Sequence, residues 1–443
     1  MEQFFIITYG CNLNYSDSEI MRSLLLSTGY KESDENQADF IIINTCAVVE
    51  KTERKILKQV AALKKTGKKV ILTGCLPCVA FSSSVALAKE GAKQGSSDTT
   101  GKFFKLLADA ILGVKNIDFI VKAVEEISKG NRFILLDNKN IDKAKFLKQD
   151  TPTLQNISAI TAISEGCLGN CSYCATKIAR GKLNSFSIKN IIKEINLKLK
   201  LGFKEIQLTS QDLAIFGLDT KQHKLLLPQL LKEIEGLDYN FKLKLGMMNP
   251  GHTKIIFKDL LKILESDKFY KFLHVPLQSG SNSILKVMNR GYNINDFILL
   301  AEQFKQKFPN GILATDIIVG HPLETEEDFK KTVEIIKKIQ PEVLHIFKFS
   351  KRKGTADYLL KDFPDRIKKD RSRILQNIFE TYNLKRNKKF LKTKQKVLII
   401  EKKYKNWFAR TNDGRAVVLK NGKLGEIREV KIIDCRWNYL IGD

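Results

Sequence analysis

The run Ser164-Glu165-Gly166-Cys167-Leu168-Gly169-Asn170-Cys171-Ser172-Tyr173-Cys174 gathers three thiols in one short loop at C-x3-C-x2-C spacing. Three thiolates can hold three irons of a cubane iron–sulfur cluster and leave the fourth iron without a protein ligand. An iron left open in this way is reactive, so the loop points to chemistry rather than to cross-linking. The chain holds eight cysteines in all. Its start, Met1-Glu2-Gln3-Phe4-Phe5-Ile6, has no basic segment and no small-residue cleavage site. No apolar run is long enough to cross a bilayer, so no membrane association is expected. A cytoplasmic protein is expected, and in that compartment the cysteines read as metal ligands rather than disulfides.

The elements that position these thiols have the α/β pattern. At 443 residues and 43% hydrophobic content, two or three globular domains are expected. Phe4 to Thr8, Phe40 to Asn44 and Val70 to Thr73 are apolar runs separated by helical patterns from Asp17 to Leu26 and from Glu50 to Lys65. Such alternation predicts a parallel sheet. Each run leads at once into a cysteine: Cys11, Cys46 and Cys75. Parallel strands end along one edge, where ligand sites form, so three thiols distant in sequence should meet there. Buried structural cysteines are the alternative, and the threefold recurrence at strand ends argues against it.

Residues 79–104 read as loop. Gly95 to Lys102 superficially resembles a phosphate loop but has the wrong glycine spacing, with Phe103 where Ser or Thr should stand, and is rejected. A helix is expected near Ile117 to Ser128, then a polar linker over 130–156. A second α/β section follows. A strand from Ala159 to Ile163 delivers the Cys167 loop. Ser187 can cap a helix with Ile188, Ile191, Ile192, Ile195 and Leu199 on one face. Strand runs recur at Lys204 to Thr209, Phe241 to Leu245, Phe272 to Val275, Ala314 to Val319 and Val343 to Phe349, which suggests a partial or full (β/α) barrel. The five histidines, at 223, 252, 274, 321 and 345, have no metal-type spacing, and none is assigned as a ligand.

Lys plus Arg number 75 against 49 Asp plus Glu, a net charge of +26. The excess concentrates toward the end, with 13 basic and 6 acidic residues from Lys392 onward. Asp365 to Lys389 reads as a basic helix. Short β-prone runs with turns at Asn412-Asp413-Gly414 and Asn421-Gly422 then form a small all-β module. Trp407, Phe408 and Arg410 in basic strands suit RNA contact, with half-buried core as the alternative.

Together these residues resemble the radical S-adenosylmethionine (SAM) methylthiotransferase family. Cys167, Cys171 and Cys174 match its SAM signature. Tyr9-Gly10-Cys11-Asn12, Asn44-Thr45-Cys46 and Thr73-Gly74-Cys75-Leu76-Pro77 match its N-terminal ligands, and the tail looks like its TRAM domain, an RNA-binding barrel. Thr176 to Gly181, Leu208 to Asp212, Gly246 to Pro250 and Val275 to Ser281 are most similar to the archaeal and eukaryotic branch that acts on tRNA. The resemblance implies an α/β fold: an N-terminal open parallel domain over 1–115, a helix and linker over 116–156, a radical SAM partial barrel over 157–388, and a TRAM barrel over 389–443.

It further implies two 4Fe–4S clusters. One would be held by Cys167, Cys171 and Cys174 with SAM on its open iron, the other by Cys11, Cys46 and Cys75. A 5′-deoxyadenosyl radical would abstract hydrogen from C2 of N6-threonylcarbamoyladenosine beside the anticodon, and a methylthio group would replace it. Tyr173, Gln211, Asp212, Gln278 and Gly320 would contact SAM, with ordinary strand-end packing as the alternative. Arg180 would meet phosphate or SAM, or form a structural salt bridge. The partners implied are tRNA, an electron donor and a sulfur source. Isopentenyladenosine tRNA or a ribosomal protein is the alternative substrate, and a non-catalytic RNA-binding iron–sulfur protein the second alternative. The chain departs from the family at His321-Pro322-Leu323-Glu324, where Phe-Pro-Gly-Glu is usual, and at Lys351 and Lys353, where prolines are common. Cys78 is extra and reads as a bystander rather than a fourth ligand.

Overall fold

A computed structural model describes residues 2–81, 104, 107–146 and 157–443. Most of the 79–104 loop, including the rejected phosphate loop, lies outside the described residues. The chain divides into two compact units. The first draws on Met1–Pro152, Ser164–Asn190 and Ser350–Leu359; the second on Thr153–Ile163, Ile191–Phe349 and Leu360–Asp443.

The first unit is built on a parallel sheet of β1 (Gln3–Thr8), β2 (Lys31–Glu32), β3 (Phe40–Thr45), β4 (Lys69–Gly74), β5 (Ala110–Leu112) and β6 (Phe133–Leu135), in the order β2-β1-β3-β4-β5-β6. All of β3 is buried because both faces are covered, which is why it reads as a continuous apolar run. Ile41 and Ile43 point into one core with Ile56, Val60 and Leu63 of the helix Glu50–Lys65. Phe40 and Ile42 point into the other, with Ile20, Met21 and Leu25 of the helix Asn12–Ser27. The two cores follow from the two-residue period of a strand meeting the three-to-four-residue stripe of a helix. The expected linker differs from this structure at its start: Phe133–Leu135 pairs with β5 and closes the sheet.

The chain next makes β7 (Ser158–Ala162), in the second unit, and then the short pair β8 (Ser164–Glu165) and β9 (Asn184–Ser185), in the first. The second unit continues with β10 (Glu205–Thr209), β11 (Lys242–Lys244), β12 (Phe272–His274), β13 (Ile312–Val319) and β14 (Val343–Lys348). These strands form two parallel sheets, β11-β10-β7 and β12-β13-β14, and the parallel bridges Leu243 to Phe269 and Met247 to His274 carry the run from one to the other. The result is the partial barrel expected of βα units. Its helices are locally well specified. Asn293 and Asp296, and Thr325 and Asp328, form reciprocal capping boxes.

The basic helix Asp365–Asn387 leads to a closed barrel of β15 (Lys394–Lys403), β16 (Asn406–Thr411), β17 (Ala416–Leu419), β18 (Ile427–Cys435) and β19 (Leu440–Gly442). Cys435 lies in its core. Closure removes the exposed edges of a small sheet. This barrel is fixed to β10 through Glu205, whose carboxylate accepts from Arg410 Nε at 2.9 Å and from Tyr270 Oη at 2.8 Å. Arg410 therefore serves this junction, and Trp407 packs partly against the barrel core.

Candidate iron–sulfur site

The edge formed by the ends of β1, β3 and β4 brings Cys11 and Cys75 to Asn14, with Cys46 close enough to raise the Cys75 thiol. Cys11 is the N-cap of the helix Asn12–Ser27. Its Sγ lies 3.6 Å from Asn14 Oδ1, and Cys75 Sγ lies 4.0 Å from the same oxygen. Asn14 Nδ2 donates to the carbonyls of Tyr9 and Thr45 and to Asn44 Oδ1, so its amide is locked between the strand ends. Glycine is required beside two of these cysteines. Gly10 has φ +120° and Gly74 φ +94°; a Cβ on Gly74 would sit 2.5 Å from Asn44 Oδ1 and the Thr45 backbone. Burial pushes the Cys46 thiol up and the Cys75 thiol up to about 12, while Arg180 pulls both down. At neutral pH Cys75 keeps its proton unless a cation replaces it. A set of three sulfurs with a buried guanidinium nearby suits a soft, thiolate-bound metal cluster.

Arg180 is fully buried, and it is a structural centre rather than a surface group. Its Nη2 donates to Asp17 Oδ2 at 2.8 Å and to Asn14 Oδ1 at 3.1 Å; Nη1 donates to Glu165 Oε2 at 3.2 Å. Lys143 Nζ closes the set at 2.8 Å from both Asp17 and Glu165. Two cations and two anions thus form a buried neutral square, with every side chain no more than 2% exposed. Burial opposes the charge on Arg180, but Asp17 and Glu165 hold it firmly protonated. Of the two roles the sequence left open for Arg180, the salt bridge is the one seen. Asn14 passes its influence to the sulfurs.

The second thiol set lies in the same unit. Gly166 has φ +76°, and a Cβ there would fall 2.0 Å from the Lys182 carbonyl oxygen. Cys167 N–H donates to the Gly181 carbonyl at 3.3 Å, closing the loop, and Lys177 Nζ donates to the Cys167 carbonyl. The Gly169 N–H points at Cys167 Sγ, at 3.2 Å. A Cβ on Gly169 would stand 3.4 Å from Cys167 Sγ and 3.8 Å from Cys171 Sγ, so this glycine presents bare backbone to two sulfurs. Cys174 caps the helix Ala175–Arg180, and burial raises its thiol. Tyr173 is half-buried, and its neighbour Ser172 is pinned by Asp357, which accepts from Oγ at 2.7 Å.

Comparison with known proteins places this geometry. The description "Uncharacterized protein family UPF0004" matches residues 3–91, "Radical SAM superfamily" residues 161–336 and "TRAM domain" residues 388–443. A probable threonylcarbamoyladenosine tRNA methylthiotransferase of Archaeoglobus fulgidus is 42% identical over 99% of this chain and 97% of its own length. The human threonylcarbamoyladenosine tRNA methylthiotransferase is 32% identical over the whole chain and 74% of its own length. The chain belongs to the threonylcarbamoyladenosine tRNA methylthiotransferase family. Among solved structures, the radical SAM methyltransferase TsrM of Kitasatospora setae shares the fold, with a TM-score of 0.57 over 81% of this chain and 77% of that one at 12% identity.

In this methylthiotransferase the remaining expected site residues lie in the second unit. Asp212 is buried, and its carboxylate is occupied: Oδ1 accepts from the N–H groups of Ala214 and Asn249, and Oδ2 lies 2.7 Å from His252 Nδ1. Gln211 and Gln278 each have a buried Oε1 with no hydrogen-bond partner among the described residues. Gln278 is held at φ +69°, its N–H donating to the Asp316 carbonyl at 2.7 Å. Gly320, at φ +72°, backs onto Lys368, whose Cγ would be 2.3 Å from an added Cβ. The altered turn is intact: the Glu324 N–H donates to the His321 carbonyl, and Glu324 pairs with Arg371. Cys78 Sγ accepts from the Val114 N–H at 3.4 Å. Sequence reasoning missed Asn14 and Lys143, which no local spacing announces. It also missed that His274 and His345 converge on Asp316.

Proposed function

We propose that this protein is a radical SAM methylthiotransferase that adds a methylthio group at C2 of N6-threonylcarbamoyladenosine beside the anticodon of tRNA. The observation that carries the reading is the pair of three-thiol sets in one compact unit, each one ligand short of closing a cubane cluster. Cys11, Cys46 and Cys75 would hold one 4Fe–4S cluster; Cys167, Cys171 and Cys174 would hold the other. The clusters and SAM would supply one-electron cleavage of SAM and the transferred sulfur, chemistry no side chain can perform on an aromatic C–H.

The chain's own residues bind and orient. Gly166 and Gly169 shape the backbone around the SAM-side thiols, and Asn14 and Arg180 fix the other set. Tyr173, Gln211, Asp212, Gln278 and Gly320 are proposed as the SAM surroundings, with the uncommitted Gln211 and Gln278 oxygens the atoms best able to accept from a ligand. Residues 1–115 would form the sulfur-donating domain, 116–156 a helix and linker, 157–388 the SAM-cleaving core and 389–443 the RNA-binding module. The basic tail suits tRNA. No helix among the described residues is long and apolar enough to cross a membrane. An electron donor and a sulfur source complete the proposed set of partners, in the cytoplasm.

The test is nucleoside mass spectrometry of tRNA from a host lacking this modification, with and without the protein. Appearance of the methylthio-threonylcarbamoyl nucleoside supports the reading. Appearance only of a methylthio-isopentenyl nucleoside refutes the substrate assignment. Failure of the reconstituted protein, with about eight irons, to form 5′-deoxyadenosine refutes the enzyme.

A further inference from the structure

The sheet β12-β13-β14 carries a group of rings that neither thiol set explains. β14 alternates: Leu344 is buried, whereas His345 and Phe347, two residues apart on the opposite face, are open. The His345 side chain is 50% exposed and Phe347 40%. Successive ring centroids run from Phe272 to His274 at 6.4 Å, from His274 to His345 at 5.6 Å and from His345 to Phe347 at 6.4 Å. One oxygen organises the row. Asp316 Oδ1 lies 2.9 Å from His274 Nε2 and 2.8 Å from His345 Nδ1. Burial alone would raise the Asp316 carboxyl, but the two histidines hold it well below the ordinary carboxylate range.

Two features separate this row from core packing. A structural His–Asp pair is satisfied by His274, which is largely buried; the same carboxylate also grips an exposed ring that needs no support for folding. Fixing an exposed imidazole costs side-chain entropy, which the bond to Asp316 offsets, and it leaves a ring of set orientation open on the strand. The row also ends on β14, the last strand of the parallel run, so one flank is open. Phe347 pairs with Ile318 near the C-terminal strand ends, where barrel chemistry sits.

We propose that Phe347 and His345, whose rings are tilted 53° to one another, hold the target base of the RNA, swung out of its own stack, with Phe347 as the stacking face, His345 closing on the edge of the base, and Asp316 and His274 as positioning residues that fix the His345 ring. The ligand class is a flipped purine nucleoside bearing a polar N6 substituent. With Nδ1 committed to Asp316, His345 Nε2 on the far side of the ring is the atom directed at that substituent. The inference rests on the function proposed above and adds where the base is held. RNA modules that act on single bases use this combination of an aromatic face and one fixed polar atom.

The test uses the reconstituted full chain. An anticodon stem-loop with 2-aminopurine at the target position reports stacking by fluorescence, and steady-state methylthiolation reports KM and kcat. Loss of either contact should raise KM for tRNA by roughly 5- to 100-fold in Phe347→Ala and His345→Ala and abolish the fluorescence change. Phe347→Tyr should restore both. Asp316→Asn should lie between. Wild-type KM and fluorescence in Phe347→Ala and His345→Ala would overturn the base site while leaving the function standing. A wild-type protein that modifies no tRNA, yet shows the fluorescence change and its loss in Phe347→Ala, would refute the function and keep the base site. The ligand atoms of His274, Asp316 and His345 lie within 4.8 Å of one another, so a divalent cation is the competing occupant. One equivalent of Zn2+ bound by the wild type and lost in Asp316→Asn, with the RNA signal unchanged by Phe347→Ala, would overturn the proposal.

Discussion

Replacing Arg180 by Met should be among the costliest single changes in the first unit. The guanidinium contacts Asp17, Glu165 and Asn14, and among the described residues the only other cation on those carboxylates is Lys143. After the change, one ammonium faces two buried carboxylates, and the cluster carries a net negative charge with no route to water. Breaking a buried ion pair by removing one partner costs about 3–5 kcal/mol, more than the lost attraction itself, because the survivor is stranded. For a unit of this size that corresponds to a fall in Tm of roughly 10 °C. Circular dichroism melts supply the Tm, and hydrogen exchange of the helices Asn12–Ser27 and Ala175–Arg180 localises the loss. A second change, Glu165→Gln, removes one charge of the opposite sign. The double variant should therefore recover at least about 2 kcal/mol relative to the sum of the single changes. Arg180→Lys should not rescue fully, because one ammonium cannot span acceptors on three sides as the planar fork does. A cost below about 1 kcal/mol for Arg180→Met, or strict additivity with Glu165→Gln, would refute the reasoning.

Four further outcomes follow from the same geometry. Burial opposes the charge on Glu205, but Arg410 and hydrogen bonds from Ser158 and Tyr270 hold its carboxyl below the ordinary value. Its contribution is therefore full above the ordinary carboxylate pKa and is lost as pH falls through the lower folded value. Melts of Glu205→Gln should show a flatter pH dependence below about pH 5, and an unchanged slope would refute this. Lys244 moves the other way for a base: burial and Arg410 bring it from 10.5 down to about 8. Its cost is full below pH 8 and disappears toward pH 10.5, so Lys244→Met should stabilise by about 1–3 kcal/mol at pH 7 and by far less at pH 10 in urea unfolding. Equal gains at both pH values would contradict it. Gly166→Ala cannot place its Cβ beside the Lys182 carbonyl, so bound iron should fall from about eight toward about four per chain; full iron would refute the steric argument. Cys78→Ala should keep its iron, and loss of a cluster would make Cys78 a ligand.

The thiols and their places at strand ends were legible because sequence carries them locally: an apolar run, a glycine, a cysteine. The helices were legible from the spacing of residues such as Ile56, Val60 and Leu63. Strands β5 and β6 were harder, since three residues are too few to show a period, and Phe133–Leu135 passed for linker. The Arg180 square was invisible for another reason. Lys143 and Arg180 meet Asp17 across separations of 126 and 163 residues. No motif records such a contact; only the closing of the unit creates it. The His274–Asp316–His345 group is similar, since it depends on the register that sets Asp316 opposite His345 in the parallel pair β13 and β14. The ion pair of Arg410 was hidden for a third reason. A basic residue on a basic module reads as an RNA contact until a buried Glu205 is found facing it.

Cys78 lies beside the proposed set of Cys11, Cys46 and Cys75. It lies one helical turn beyond Cys75 and is close enough to repel a Cys75 thiolate. Its own sulfur, however, accepts the Val114 N–H, and the backbone at Gly113 comes within 3.5 Å of it on an added Cβ. A backbone N–H on the sulfur does not by itself decide the matter, since the Gly169 N–H points at Cys167 Sγ in the same way and a bound thiolate can go on accepting such a bond. Cys11 and Cys75 both face the side-chain oxygen of Asn14. The iron content of Cys78→Ala therefore decides the count: a second cluster retained in that variant would leave Cys11, Cys46 and Cys75 as a set of three, with one iron open.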